Sequence, residues 1–173
     1  TEVLWDRMDR ASIPYGRKGA AIEAISGIDT ALWDLVGRIT GQPVYRLLGG
    51  KTKDTLPVYA TGNAVESHVA RGFRDVKLAM LHGPADGREG MDGNEALVRR
   101  TREQLGPDGE IMLDCYMGWD EPYTLEMARR LHQYRIRWIE EPLMPQHVEG
   151  SRRLRDLLNP MGILVTGGEH EFT

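Results

Sequence analysis

From Leu56 onward the sequence alternates, without exception, between short apolar runs and longer amphipathic stretches. The runs "LPVYATG" (56–62), "RDVKLAM" (74–80), "EIMLDC" (110–115), "RIRWIEEP" (135–142) and "GILVTGGE" (162–169) read as strands. Between them, "AVESHVARGF", "NEALVRRTREQLG" (94–106), "PYTLEMARRLHQY" (122–134) and "EGSRRLRDLL" (149–158) carry helical periodicity. Strands joined by a helix and short loops can pair only in parallel, so the pattern predicts a parallel sheet covered by helices. Nearly continuous apolar strands fit burial on both faces.

A doubly wound sheet and a (β/α) barrel both satisfy this alternation. The nucleotide-binding version places spaced glycines after its first strand, and "ATGNAVESH" lacks them. Polar residues instead recur at the C-terminal ends of the strands, where barrel enzymes keep their chemistry. The expectation is part of a TIM-type barrel, about five strands, spanning residues 51–173. Residues 1–50 differ in character. A helix over 19–40 carries Ile22, Ile25, Ile28, Leu32, Leu35, Val36 and Ile39 on one stripe, and a shorter one runs from Pro43 to Leu48 before Gly49-Gly50.

Composition narrows the function. A net charge of −4 with no basic stripe argues against nucleic-acid binding, and no apolar run approaches the ~20 residues of a membrane span. One cysteine, Cys115, cannot form an internal disulfide and is expected to be a packed thiol in a reducing, cytoplasmic setting.

The pleat then selects residues. If the runs are extended to their ends, Met112 and Asp114 share a face, as do Trp138 and Glu140, and as do Val165, Gly167 and Glu169. Asp114, Glu140 and Glu169 are thus expected to converge, at sequence separations of 26 and then 29. Three bare anions repel one another, so a cation is expected among them, and an all-oxygen set suits Mg²⁺. Lys77, at the end of the preceding strand, could steady a substrate carboxylate or relay a proton. His170 and His82 could each touch substrate. Glu141, next to Glu140, is expected to point the other way and to take no part in metal binding.

The stretches "PYGRKGAAIEAISGIDTALWDLVGRITGQPVYRLLGG", "PVYATGN", "HGPADGREGM", "IMLDCYMGWD", "RWIEEPL" and "VTGGEHEFT" carry a resemblance. On them the chain resembles the enolase superfamily in its mandelate racemase-like branch, nearest to the members that dehydrate L-rhamnonate. The resemblance implies that residues 1–50 are the last helices of an α+β capping domain. It implies Mg²⁺ held by Asp114, Glu140 and Glu169; the catalytic roles expected of Lys77 and His170 and the substrate contact expected of His82 rest on their positions in the strands and loops. The implied reaction removes the C2 proton of an acid sugar, passes through a metal-stabilised enediolate and expels water, giving 2-keto-3-deoxy-L-rhamnonate. A related aldonate such as L-lyxonate is the alternative substrate, and an inactive half-barrel remnant the rival reading. Racemases of the branch carry Lys-x-Lys on the second strand, whereas this chain has Lys77-Leu78-Ala79, which fits dehydration better than racemisation. The family's histidine base would lie beyond residue 173, so the 173-residue chain alone is expected to be an incomplete, inactive part of a homo-oligomeric enzyme.

Overall fold

The computed structural model describes residues 1–16 and 18–170 and divides into two units, Thr1–Leu56 and Pro57 onward. In the first unit, helix α1 (Glu2–Ser12) packs beside the long α2 (Ala20–Thr40), and a single turn, α3 (Val44–Leu47), follows. Helix α2 stops where Gly41 turns left-handed at φ 64°, the residue type that adopts this conformation at least cost. The apolar stripe of α2 forms as spaced, but only Ile25 on it is buried, and Ile39 is 75% exposed.

The second unit holds one parallel sheet in the order β1-β2-β3-β4-β5. The strands are β1 (Ala60–Thr61), β2 (Val76–Ala79), β3 (Ile111–Asp114), β4 (Ile136–Glu140) and β5 (Leu164–Thr166). Helices α4 (Val65–Ala70), α5 (Gly87–Leu105), α6 (Glu121–Leu131) and α7 (Val148–Leu158) occupy the four connections. These are five successive strands of a (β/α) barrel-type sheet, as the alternation predicts. Val76, Leu78, Ile111, Leu113 and Ile139 turn towards the helices and bury with Val98, Met127, Leu131 and Leu158. Each such aliphatic side chain contributes about 1.5–3 kcal/mol by leaving water. This layer fixes which strand residues remain for the opposite face.

Differences from the sequence reading lie at the element ends. Strand β1 pairs over two residues rather than seven. Its side of β2 is completed by the Asn63 side chain, which accepts from the Ala79 N–H and donates to the Ala79 carbonyl, both at 2.9 Å. Helix α5 begins at Gly87 instead of Asn94. Its glycines weaken the helical signal, but a Cβ on Gly90 would lie 2.4 Å from Asp86 Cβ and 3.0 Å from His82 Cβ. The missing side chains let the preceding loop lie directly on the helix. At α6, the Asp120 carboxylate caps the helix by accepting from the Tyr123 N–H at 2.8 Å.

Candidate metal and proton-transfer site

Register places the site. Ala79, Asp114, Glu140 and Thr166 are aligned across β2 to β5, and one pleat back Lys77, Met112, Trp138 and Leu164 are aligned. Aligned residues of parallel strands share a face, so Lys77, Asp114 and Glu140 stand together on the side away from the helices.

Their contacts are short. Lys77 Nζ lies 2.7 Å from Glu140 Oε1 and 2.9 Å from Asp114 Oδ2. The other oxygen of each carboxylate is also held: Trp138 Nε1 donates to Glu140 Oε2 at 3.0 Å, and the Tyr116 N–H to Asp114 Oδ1 at 3.2 Å. Burial by itself would lower the pKa of the Lys77 ammonium. The hydrogen bonds and charges of Glu140 and Asp114 outweigh it, so the group is held charged, above the ordinary lysine value. Burial raises the thiol pKa of Cys115 well above its usual value, with the Asp114 and Glu140 charges adding to the effect. Cys115 is a packed, protonated side chain.

Glu169 is not brought to this group. Strand β5 ends at Thr166, and it is Leu164 and Thr166, not Val165 and Gly167, that continue the row of Trp138 and Glu140. The expected facing of Glu169 assumed pleating to the end of "GILVTGGE", whereas Gly168 turns the chain at φ 128°. Glu169, 55% exposed at its side chain, instead groups with Glu141 and His170, their ligand atoms lying within 4.8 Å of one another.

Glu141 lies just past the end of β4 and takes partners other than Lys77. It is 6% exposed, and its backbone is left-handed at φ 42°, so strand alternation no longer governs where it points. Its Oε2 is 2.7 Å from His170 Nδ1, and its Oε1 accepts from the Gly168 N–H at 3.2 Å. A Cβ on Gly167 would approach Glu141 Cγ to 3.2 Å, so that glycine leaves room for the buried acid. The paired glycines opposite the end of "WIEE" are the sequence signal that a side chain crosses there. Tyr116 closes over His170 edge-on, with ring centroids 5.1 Å apart.

His82 has a different set of neighbours. Its carbonyl accepts from Asn94 Nδ2 at 2.9 Å and Trp119 Nε1 at 2.8 Å, while its ring faces Gly93 of α5. Its Nδ1 lies 3.7 Å from Asp86 Oδ2, beyond hydrogen-bond length.

Two oxygen ligands from adjacent strands already share one positive charge at Lys77, so Asp114 and Glu140 fit a small divalent cation. The Glu141, Glu169 and His170 set mixes nitrogen with oxygen, and its nitrogen is engaged by Glu141, which suits Mg²⁺ less well.

A parallel β/α sheet that gathers acids and a lysine at the C-terminal ends of its strands defines a barrel-type enzyme site. The chain belongs to the enolase superfamily, in its mandelate racemase-like branch. The enolase C-terminal domain-like family matches residues 60–173, and the mandelate racemase / muconate lactonizing enzyme N-terminal domain matches residues 1–49. An L-rhamnonate dehydratase of Saccharopolyspora erythraea is 43% identical over 99% of this chain. The chain spans 44% of that protein's length. The solved structure of rhamnonate dehydratase from Gibberella zeae complexed with Mg is similar at a TM-score of 0.88 and 42% identity, covering 98% of this chain and 41% of that one. The 3,6-anhydro-D-galactonate cycloisomerase of Zobellia galactanivorans is also similar, at 33% identity and a TM-score of 0.83, covering 98% of this chain and 48% of that one.

Proposed function

We propose that this chain supplies the metal-binding part of a Mg²⁺-dependent acid-sugar dehydratase acting on L-rhamnonate. The observation that carries the reading is the convergence of Asp114 and Glu140 on one cationic position, set beside similarity above 40% to rhamnonate dehydratases. The 33% identical cycloisomerase bears a different reaction name on a similar fold, so the higher identity favours dehydration of an aldonate.

In this reading Asp114 and Glu140 would hold the cation, and Glu169, which stands with Glu141 and His170, would serve as third ligand only by turning its exposed carboxylate towards them. When bound, Mg²⁺ offsets the negative charge that builds on the substrate carboxylate as the C2 proton leaves. Lys77 adds a second positive charge beside the same carboxylate. His170 hydrogen-bonds to the sugar acid or exchanges a proton with it, and His82 contacts substrate from the loop after β2. Trp138 and the Tyr116 N–H keep the two ligand carboxylates oriented, which limits the reorganisation needed on binding. The active protein is assigned to the cytoplasm and to a homo-oligomer. Among the described residues no helix is long and apolar enough to cross a membrane.

The test is a chimera in which these residues replace the matching stretch of the Saccharopolyspora erythraea protein. Proton NMR with L-rhamnonate should show a 2-keto-3-deoxy product only when Mg²⁺ is present. A chimera that folds, binds Mg²⁺ and leaves L-rhamnonate intact would overturn the assignment.

A further inference from the structure

Adjacent acids at the end of β4 serve two different partners, and the second of them has no role in the dehydratase reading as it stands. Glu141 is a buried carboxylate, and burying one without donors would cost several kcal/mol. Its polar partners come from the segment after β5: His170 Nδ1, 2.7 Å from Oε2, and the Gly168 N–H, which donates to Oε1 at 3.2 Å. The competing acid for the same ring nitrogen is Glu169, at 3.8 Å and largely exposed, so Glu141 holds the stronger contact. The backbone is held in an unfavourable conformation to achieve this. Among the described residues four non-glycine positions have positive φ, and Tyr116, Met117 and Glu141 are three of them, all just beyond the ends of β3 and β4. Left-handed backbone at ordinary residues costs about 1–2 kcal/mol each, and such outliers gather where geometry serves function. Tyr116, in one of these positions, packs its ring edge-on to His170.

We propose that Glu141 is a positioning residue that fixes His170 as the Nδ1–H tautomer and leaves Nε2 as the nitrogen that meets the substrate. The inference deepens the dehydratase reading and rests on it for the identity of the substrate. A carboxylate on one ring nitrogen decides which nitrogen carries the proton and how the ring is aimed. Without that acceptor, the ring would default to the Nε2–H form, and its outward nitrogen would donate where it now accepts. His170 would then be the catalytic group, and Glu141 would act only through it.

The test uses the chain labelled with ¹⁵N-histidine, with and without Mg²⁺, at pH 8. Long-range ¹H–¹⁵N spectra report which ring nitrogen is protonated, and the signals of His170 are identified by their loss in His170→Gln. Wild type should show a protonated Nδ1, and Glu141→Gln should shift the ring towards Nε2–H while Mg²⁺ affinity by calorimetry changes by less than about threefold. If Glu141→Gln does not fold, Glu141→Asp keeps the buried charge but retracts it, and should give a mixture of tautomers. An Nε2–H ring in wild type, or an unchanged ring in a folded Glu141 variant, overturns the proposal. Added L-rhamnonate should move the Nε2 resonance, and movement of Nδ1 alone also overturns it. A confirmed tautomer with no response to L-rhamnonate instead counts against the dehydratase reading and leaves the positioning of His170 by Glu141 standing.

Discussion

Lys77 Nζ stands 2.7 Å from Glu140 Oε1, although 63 residues separate them in sequence. Two strands, a helix and a second β/α unit must all form before this pair can meet. The same ammonium holds Asp114 at 2.9 Å, so one positive charge neutralises two carboxylates.

Lys77→Met should therefore leave two anions facing each other without compensation. Breaking a largely buried ion pair by removing one partner costs about 3–5 kcal/mol. Urea unfolding of the variant should show a loss of that order in the absence of divalent cations. Millimolar Mg²⁺ should recover a substantial part of it, because the cation replaces the missing charge. Equal losses with and without Mg²⁺ would show that no cation binds between the carboxylates.

Glu140→Gln keeps the shape of the side chain and removes its charge. Mg²⁺ affinity measured by calorimetry should fall by at least about tenfold, the size of effect expected when the ligand sphere is disturbed. Asp114→Asn should behave alike. An affinity within twofold of wild type in both variants would place the cation elsewhere, with the Glu141, Glu169 and His170 cluster as the next position to test.

Gly90→Ala pits two effects of known sign against each other. In an exposed helix the change gains about 1 kcal/mol from propensity. Here the new Cβ would fall 2.4 Å from Asp86 Cβ, and neither the loop nor the helix can yield without losing the His82 contacts. Overpacking of this kind costs about 1–3 kcal/mol, so thermal unfolding should shift downward. A rise in melting temperature would mean that the loop lifts away freely.

Arg102→Met tests the opposite end of the sheet. The guanidinium donates to four backbone carbonyls: Tyr134 at 3.0 Å, Gly106 at 2.9 Å, Gly109 at 2.5 Å and Arg135 at 3.2 Å. Methionine keeps much of the apolar stem and removes every donor. Hydrogen bonds to charged groups contribute about 1.5–3 kcal/mol net and are not additive on one partly exposed group, so a loss of about 2–4 kcal/mol is expected in urea titration. Mg²⁺ affinity of the folded variant should stay within about twofold.

Much of this architecture is legible in the sequence because it depends on periodicity inside elements. Alternation fixes the parallel order of the strands. Pleat parity puts Lys77, Asp114 and Glu140 on one face, since all three lie inside strands or at their last residue. Legibility stops where periodicity stops. Glu141 is one residue past β4 with a left-handed backbone, and Glu169 is three residues past β5, so parity says nothing about either. The glycines at the start of α5 suppress a helical signal for a reason visible only once the loop carrying His82 lies against them. The exposed stripe on α2 shows the converse, a pattern that specifies a helix without specifying what covers it.

The Arg102 clamp carries a consequence for how such a chain can change. Its four carbonyls lie after α5 and just before β4, at the foot of the strands, while the Asp114 and Glu140 carboxylates stand at their heads. Substitutions that retune substrate or proton transfer can accumulate among the head residues while the foot keeps the strands in register. Frame and chemistry are thereby carried by separate residues, and a change at the strand heads need not disturb the frame that presents them.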